Sequence, residues 1–354
     1  MAISKIKVLI VDDSLSVRNI MESHIMADPH IEVIGKAKDP YEAASMIREN
    51  LPDVITLDIE MPKMDGLTFL KKIMSQHPIP VIIVSSLTTQ GAQASIKALE
   101  YGAVEILPKP IKYGDTPEET SKYLIHKIKT AHMARVRSKA SRKMKVNPKL
   151  SADAILRKSQ YNISQTSTEK IIAIGASTGG TEAILKVLQP LDTQTLGIVI
   201  VQHMPIHFTA AFANRLNETC SVFVKEAENG DIIRKGQVLI APGNRHMLVD
   251  KSGGRNIVRI VDGPNVNRHK PSVDVLFRSV ANKMGAKALG ILLTGMGADG
   301  AQGLLEMKEA NAQTIAQNES SSVVYGMPKA AVKLDAAMYS FNLIAITNFI
   351  KKYK

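Results

Sequence analysis

The sequence has little of the material from which several common protein classes are built. It has no tryptophan, and aromatic residues are only 4% of its 354 residues, so stacking platforms for single-stranded nucleic acid are scarce. Cys220 is the only cysteine, which excludes an internal disulfide and suits the cytoplasm. No apolar run is long enough to span a bilayer, and the first residues show no signal peptide. We therefore expect a cytoplasmic protein without membrane insertion.

The net charge of +12 would by itself favour a nucleic-acid partner, but much of the excess lies in one connecting segment. We predict a basic, polar linker over residues 126–167, between domains at 1–125 and 168–350. The first part of this segment could extend the last helix of the first domain. For the remainder, a solvated linker is one interpretation, and a patch for an acidic partner or a membrane surface is another. The cations of this region are Lys127, Lys129, Arg135, Arg137, Lys139, Arg142, Lys143, Lys145 and Lys149.

In the first domain, five apolar runs alternate with helical patterns, which predicts right-handed βαβ units and a parallel sheet. The predicted strands are Ile6–Val11, Ile31–Gly35, Asp53–Asp58, Val81–Ser85 and a run within Glu105–Pro110.

Acidic residues follow two of these strands, where folding would gather them at one crevice. Asp12, Asp13 and Asp58 would repel each other, and a hard cation such as Mg²⁺ with oxygen ligands relieves this. Lys109 would add a positive charge for phosphate oxygens and Ser85 a hydroxyl donor, which makes Asp58 a candidate phosphoryl acceptor. Helix capping by the acid pair and a simple turn at Asp58 are the alternatives for the single residues.

This pattern resembles the receiver domain of two-component response regulators. The resemblance covers about residues 5–125 and is carried by Val11-Asp12-Asp13-Ser14, Leu57-Asp58 through Asp65-Gly66, Ser85 and Lys109-Pro110. It implies Mg²⁺-dependent phosphotransfer from a histidine kinase to Asp58, with Ser85 as the switch hydroxyl and Lys109 sensing the phosphate. Ile106 stands where receivers often carry an aromatic ring that rotates on activation, so the sequence does not favour a ring-rotation mechanism.

The second domain opens with a buried-strand pattern, Ile171–Ile174, and a glycine-rich turn that places Ser177 at the strand's carboxyl end. Gly175-Ala176-Ser177-Thr178-Gly179 fits the spacing of a nucleophile elbow. Helix capping by Ser177 or Thr178 is an alternative. A phosphate-binding loop is disfavoured because no Gly-Lys-Ser/Thr follows.

His203 and Asp299 also follow apolar strand patterns, so the two could meet Ser177 at one sheet edge as a nucleophile, base and orienting acid. The chain order Ser, His, Asp differs from that of α/β-hydrolases and argues against that fold. Gly295 and Gly297 flank Met296, whose N–H could face an oxyanion. The rival histidines are His207, His246 and His269, and their spacing makes a metal site weak.

These motifs resemble the chemotaxis protein-glutamate methylesterases of the CheB family over about residues 168–350. The motifs are Ile174 through Gly180, Gln202 through Pro205, Pro271 through Phe277, Leu293 through Gly300 and Ser321 through Pro328. Shorter, more polar strand patterns at Asp231–Ala241 and from Met247 through Val261 predict two antiparallel additions to the second domain. We therefore predict two α/β domains: a flavodoxin-like (βα)5 receiver and a doubly wound, mostly parallel methylesterase domain with antiparallel additions.

The same resemblance implies that Ser177 is the nucleophile, His203 the base, Asp299 its orienter and Met296 an oxyanion-hole amide. It further implies ester hydrolysis on methyl-accepting receptors, receptor glutamine deamidation, a histidine kinase as phosphodonor, and no cofactor for the esterase reaction. Lys270 stands where the family often has Arg, so a contact to an anionic substrate surface is expected to be weaker. The competing hypothesis is a response regulator whose output domain docks receptors or binds nucleic acid without catalysis.

Overall fold

The structure, a computed structural model, describes residues 5–61, 65–109, 116–134, 150–159 and 169–354. The chain divides into two compact units, Met1–Arg142 and Lys143–Lys354. Each unit contains its own parallel sheet. Within the described ranges, no helix combines the length and apolar composition needed to cross a membrane.

The first unit is a five-stranded parallel sheet in the order β2-β1-β3-β4-β5. Its strands are β1 (Ile6–Val11), β2 (Ile31–Ala37), β3 (Val54–Asp58), β4 (Val81–Ser86) and β5 (Glu105–Lys109). Its helices are α1 (Leu15–Ile25), α2 (Pro40–Glu49), α3 (Gly66–Gln76), α4 (Thr89–Glu100) and α5 (Pro117–Met133). This is the flavodoxin-like order, and it confirms the predicted (βα)5 fold. The carboxyl ends of β1, β3 and β5 lie at the same edge of the sheet.

Helix α5 continues past residue 125, where the sequence analysis ended the first domain. Its buried side chains Leu124, Ile128 and Ala131 recur at helical spacing, so packing in this unit extends the helix to Met133.

Two cations assigned to the linker belong to this helix. Lys127 Nζ lies 2.9 Å from Glu105 Oε2, and Lys129 forms an ion pair with Asp28. The other seven cations, from Arg135 to Lys149, lie outside the described residues.

The second unit is a seven-stranded, all-parallel sheet in the order β14-β13-β12-β6-β7-β9-β8. Its sheet strands are β6 (Ile171–Ala176), β7 (Ile198–Gln202), β8 (Phe223–Glu226), β9 (Gln237–Ile240), β12 (Ala288–Leu292), β13 (Gln313–Gln317) and β14 (Tyr339–Phe341). A separate antiparallel hairpin consists of β10 (His246–Ser252) and β11 (Arg255–Val261). The helices are α6 (Gly180–Leu188), α7 (Phe208–Thr219), α8 (Val273–Met284), α9 (Ala301–Glu309), α10 (Met327–Lys333) and α11 (Leu343–Lys352).

The hairpin confirms one of the two predicted antiparallel additions, and the other was wrong. Strand β9 runs parallel to both β7 and β8. Its residues Val238, Leu239 and Ile240 are all buried, as is typical of a strand covered on both faces. Only Ile232, ahead of the strand, makes an antiparallel bridge, to Ile257.

Residues 150–159, the anchored segment, pack within the second unit although the sequence analysis placed them in the linker. Ala152 is buried, and Ile155 packs in the same apolar cluster. Asp153 Oδ1 accepts a hydrogen bond of 2.7 Å from the guanidinium of Arg278 on α8. Of the predicted linker, residues 126–133 therefore lie in α5, and residues 150–159 pack on the second unit.

Candidate active site and phosphorylation site

Ser177 lies in a tight turn between β6 and α6. Its N–H donates to the carbonyl of Thr294 (3.0 Å), and its carbonyl accepts from the Gly180 N–H (2.7 Å). Gly179 has a φ of 75° and is the residue that caps α6, without a side-chain bond. Capping by Ser177 or Thr178 is therefore not what the turn provides. The φ of Ser177 is not positive, so the turn lacks the strained serine of an α/β-hydrolase elbow.

The glycine before this turn is required by packing. A Cβ on Gly175 would lie 2.1 Å from Cγ1 of Val273, the first residue of α8. The Val273 side chain therefore packs directly on the backbone of Gly175, and this contact brings the N-terminus of α8 to the site.

His203 lies beside Ser177 because β6 and β7 are neighbours in register. Ala176 pairs with Gln202, so Ser177 and His203 are the next residues on the two strands. The His203 N–H donates to the Ala176 carbonyl (3.1 Å). The Gln202 side chain donates to the carbonyls of both Ser177 (3.0 Å) and His203 (3.1 Å), and thus fixes the two turns to each other.

Asp299 holds the imidazole of His203. Its Oδ2 lies 2.8 Å from His203 Nε2 and accepts the Val273 N–H at 2.7 Å. Its Oδ1 accepts from Ser272 Oγ and from Asn267 Nδ2, both at 2.8 Å. Burial raises the pKa of this carboxyl, but the hydrogen bond from His203, electrostatic interactions with His203 and His269, and the Asn267 amide together lower it below its usual range. The carboxylate is therefore ionised and orients the ring.

The other nitrogen of the ring is the one left for proton transfer. Since Nε2 faces an ionised carboxylate, it carries the proton, and Nδ1 keeps a lone pair. Nδ1 is buried and has no hydrogen-bond partner among the described residues. The ring of His269 stacks on that of His203, with centroids 3.7 Å apart and planes 9° from parallel.

The loop that carries Met296 lies against the serine. A Cβ on Gly295 would lie 2.7 Å from the Cβ of Ser177, and the Gly295 carbonyl accepts from the N–H of Met327 (2.7 Å). Gly297 has a φ of 89°, which reverses the chain directly after Met296. The loop is thus rigidly held at van der Waals distance from the proposed nucleophile. The role of the Met296 amide stays a prediction.

The first unit gathers the predicted acidic residues at its sheet edge. Carboxylate oxygens of Asp12, Asp13 and Asp58 lie within 4.8 Å of one another, with Asp13 exposed and the other two buried. Lys109 Nζ lies 2.7 Å from Oδ2 of both Asp12 and Asp58. Helix α1 is capped by Ser14, so the acid pair does not serve as its cap.

Burial and charge act on this cluster in opposite senses. Burial raises the pKa of Asp58, its contacts with Lys109 oppose the rise, and the charge of Asp12 adds to it. Burial alone would lower the pKa of Lys109, but its bonds to the two carboxylates raise it. Ser85 Oγ donates to the Gly91 carbonyl (3.2 Å), so its hydroxyl is engaged with α4. Ile106 is a buried apolar residue of β5.

The three carboxylates fit a hard divalent cation. All ligand atoms are oxygens, as Mg²⁺ prefers, and the exposed Asp13 leaves room for the waters that Mg²⁺ retains.

Comparisons with known proteins agree with both halves of the chain. A family model described as the response regulator receiver domain matches residues 8–119. A model described as CheB methylesterase matches residues 172–350, about half of the chain. A protein-glutamate methylesterase/protein-glutamine glutaminase of Rhodopseudomonas palustris is 56% identical over 95% of this chain and 93% of its own length. The chain belongs to the CheB methylesterase family.

A second curated relative and a solved structure are also similar to this chain. A protein of Geobacter metallireducens with the same enzyme name is 54% identical over 94% of each chain. The solved CheB methylesterase catalytic domain of Thermotoga maritima is 33% identical, covers 53% of this chain and 100% of its own, and has a TM-score of 0.52. The parallel α/β fold is thus shown for the second domain.

The rival histidines of this CheB family member take other positions. His246 is fully buried and accepts the Ser272 N–H (3.3 Å) on Nδ1, while its Nε2 lies 3.0 Å from the Pro264 carbonyl. Burial lowers the pKa of His246, so it acts as a neutral packing residue. His207 precedes α7 with a φ of 73°.

Three polar residues around Asp299 were assigned no role in the sequence analysis: Asn267, Ser272 and Asp274. Ser272 and Asp274 fall within a motif that carried the family resemblance, and their position at the start of α8 was the available signal. Burial, and then the charge of Asp299, raise the pKa of Asp274 to about 8. The acid of the proposed triad therefore has a second, less ionised carboxyl group as a neighbour.

Lys270 is bound within the chain. Its Nζ lies 2.9 Å from Asp262 Oδ1 and 3.0 Å from the Gly263 carbonyl. We expect this pairing, more than the missing guanidinium plane, to limit any contact of Lys270 with an anionic substrate.

Proposed function

We propose that this protein hydrolyses glutamate methyl esters on methyl-accepting chemotaxis receptors, deamidates receptor glutamines, and is activated by phosphorylation of Asp58. Family membership and the receiver domain support this assignment. The single observation that carries the chemistry is the buried His203–Asp299 pair at 2.8 Å. His203 directly follows β7, which is in register with β6, the strand that directly precedes Ser177. We place the enzyme in the cytoplasm, with domains joined by a linker within residues 135–149.

The geometry supports acyl transfer through a serine nucleophile. Ser177 Oγ would attack the ester carbonyl as its proton passes to His203 Nδ1, which forms a tetrahedral oxyanion. The imidazolium would then return the proton to the leaving methoxide, so that methanol departs and an acyl-enzyme remains. Water, deprotonated by the same nitrogen, would cleave the acyl-enzyme to glutamate. In deamidation, ammonia takes the place of methanol.

Charge stabilisation would come from the loop against Ser177. We propose that the Met296 N–H donates to the oxyanion, and one such donor contributes about 3–4 kcal/mol to lowering the barrier. Asp299 would stabilise the imidazolium by its charge without taking the proton.

The receiver would supply the control. Asp58 would accept a phosphoryl group from a chemotaxis histidine kinase, and Asp12, Asp13 and Asp58 would hold Mg²⁺. Bound Mg²⁺ would neutralise charge that develops on the phosphoryl oxygens. Lys109 would bind the phosphoryl group after leaving its present ion pairs, and Ser85 would turn from the Gly91 carbonyl to donate to it.

Ser177→Ala tests the chemistry. We expect methanol release from a methylated chemoreceptor fragment to fall to background, whereas Ser252→Ala, at an exposed site on β10, keeps wild-type activity. Release that persists in Ser177→Ala would refute the nucleophile assignment.

Asp58→Ala tests the control. We expect basal methanol release to remain and its rise with acetyl phosphate and Mg²⁺ to disappear. A rise of wild-type size in Asp58→Ala would refute activation at this residue. A DNA mobility-shift assay with either protein checks the competing nucleic-acid output, for which we expect no complex.

A further inference from the structure

A two-residue turn, Val266–His269, stands over the proposed triad. Val266 and His269 exchange hydrogen bonds of 3.0 and 2.8 Å, and the central residues Asn267 and Arg268 have φ values of 50° and 73°. Positive φ at both central positions is unusual outside glycine and is the mark of a tight reverse turn. The turn brings the Asn267 side chain to the acid and the His269 ring onto the imidazole of His203.

Asn267 joins two buried carboxyl groups. Its Nδ2 donates to Asp299 Oδ1 at 2.8 Å and to Asp274 Oδ2 at 2.5 Å. A side-chain amide has two N–H groups, so each carboxyl group receives one. Without this amide, the two acidic side chains would face each other directly across the gap. The amide therefore keeps Asp299 and Asp274 apart and leaves Oδ2 of Asp299 for His203.

The turn is supported from behind by the anchored segment. The Asn267 N–H donates to the Leu150 carbonyl at 2.9 Å. Ile155 lies against the backbone of Gly263, where a Cβ would come within 2.3 Å of its Cδ1, and packs with Val266. The strained residue is thus held at both its backbone and its side chain.

We infer that Asn267 is a positioning residue for ester hydrolysis: its amide fixes the Asp299 carboxylate so that His203 presents Nδ1 to Ser177. This inference depends on the proposed function for the identity of the substrate. It adds to that function a residue that touches no reacting atom and acts through Asp299.

Asn267→Gly removes the amide and tolerates the positive φ, so the turn is preserved. Asn311→Gly is the matched control, since Asn311 is exposed, follows α9 and has a φ of 66°. Both full-length variants are compared with wild type by methanol release from a methylated chemoreceptor fragment and by the rate of Ser177 labelling with a fluorophosphonate. Thermal unfolding confirms that each variant is folded.

For Asn267→Gly we expect kcat and the labelling rate to fall about 10- to 100-fold, as for loss of one hydrogen bond to a charged group. KM should stay unchanged, because no substrate contact is lost. The acidic limb of the pH–rate profile should move to higher pH, because a carboxylate with fewer donors holds an imidazolium more tightly. Loss of packing alone would not move this limb. Asn311→Gly should match wild type in every respect.

Asn267→Asp is the second variant, since Asp also tolerates positive φ but offers oxygen where Asn267 offers N–H groups. We expect its labelling rate to fall at least as far. Wild-type labelling rates and an unshifted acidic limb in either folded variant would overturn the inference. If wild type is labelled at Ser177 but releases no methanol, the proposed substrate is wrong, and the labelling rates still decide the role of Asn267.

Discussion

Replacement of Asp299 by Asn is the sharpest perturbation of the proposed triad. Two donors, His203 Nε2 and the Val273 N–H, converge on Oδ2 of this carboxylate. Three donors converge on Oδ1: Ser272 Oγ, Asn267 Nδ2 and, at 3.3 Å, the Asp274 N–H. An Asn side chain must place its NH₂ at one of these positions. In either orientation, the new NH₂ group faces N–H or O–H donors that a carboxylate oxygen accepts from in the wild type, so those hydrogen bonds are lost.

The cost for catalysis follows from the tautomer of His203. If the new NH₂ faces Nε2, that nitrogen must become the acceptor and the proton moves to Nδ1, which then cannot take the Ser177 proton. In serine proteases the equivalent exchange lowers kcat about 10⁴-fold, or about 5 kcal/mol in activation free energy. We expect a loss of this size in methanol release for Asp299→Asn.

The same change lowers stability, because at least two hydrogen bonds to a charged group are lost and each contributes about 1.5–3 kcal/mol. Thermal unfolding must therefore establish a folded fraction at the assay temperature. Asp335→Asn is the matched control, since this side chain is exposed and forms an ion pair with Lys308 only at the surface. A folded Asp299→Asn enzyme within about tenfold of the wild-type rate would show that Asp299 does not orient the base, and the tautomer reasoning would fail.

Two further predictions concern stability. Arg278 donates to both oxygens of Glu306 (2.8 and 2.6 Å), which is 1% exposed, so Arg278→Met should leave a buried unpaired charge and cost about 3–5 kcal/mol in chemical denaturation. Arg215→Met, which removes an exposed pair at 3.7 Å, should cost under about 1 kcal/mol, and equal losses would contradict this account. The pKa of Asp274 is raised to about 8 in the folded protein, so its contribution to stability is present below its unfolded pKa and is lost as pH rises towards 8. Relative to wild type, Asp274→Asn should therefore gain unfolding free energy between pH 5 and 7.5, and a pH-independent difference would contradict the shift.

The sequence predicted those parts of the site that depend on local residue patterns. Strands β1, β3, β6 and β7 are mostly apolar, and Asp12, Asp58, Ser177 and His203 stand at or just after their carboxyl ends. Because parallel strands end at one edge, their convergence followed from the pattern alone. The direction of strand β9 was predicted wrongly because the polar residues before it suggested a short antiparallel strand, whereas its own apolar residues are buried, as in a central parallel strand.

The support around Asp299 could not be found in this way. Asn267 lies in a polar loop, and its role depends on a turn whose φ values are set by contacts with distant residues. The anchored segment likewise lies between a basic run and a run rich in Ser and Asn, so the sequence around it gave no signal that Ala152 and Ile155 pack on the second domain. The state of Ser85, which faces Gly91, depends on side-chain orientation, and sequence patterns do not encode that.

The place where the anchored segment docks affects how the catalytic half can be isolated. The family match begins at residue 172, so a fragment cut there would keep Ser177, His203 and Asp299. It would lose the Leu150 carbonyl that receives the Asn267 N–H, and the carboxylate of Asp153 that binds Arg278. The rate measured on such a fragment would be lowered by the loss of support for the Val266–His269 turn and would underestimate the rate of the intact esterase. A fragment that begins at residue 150 would keep this support.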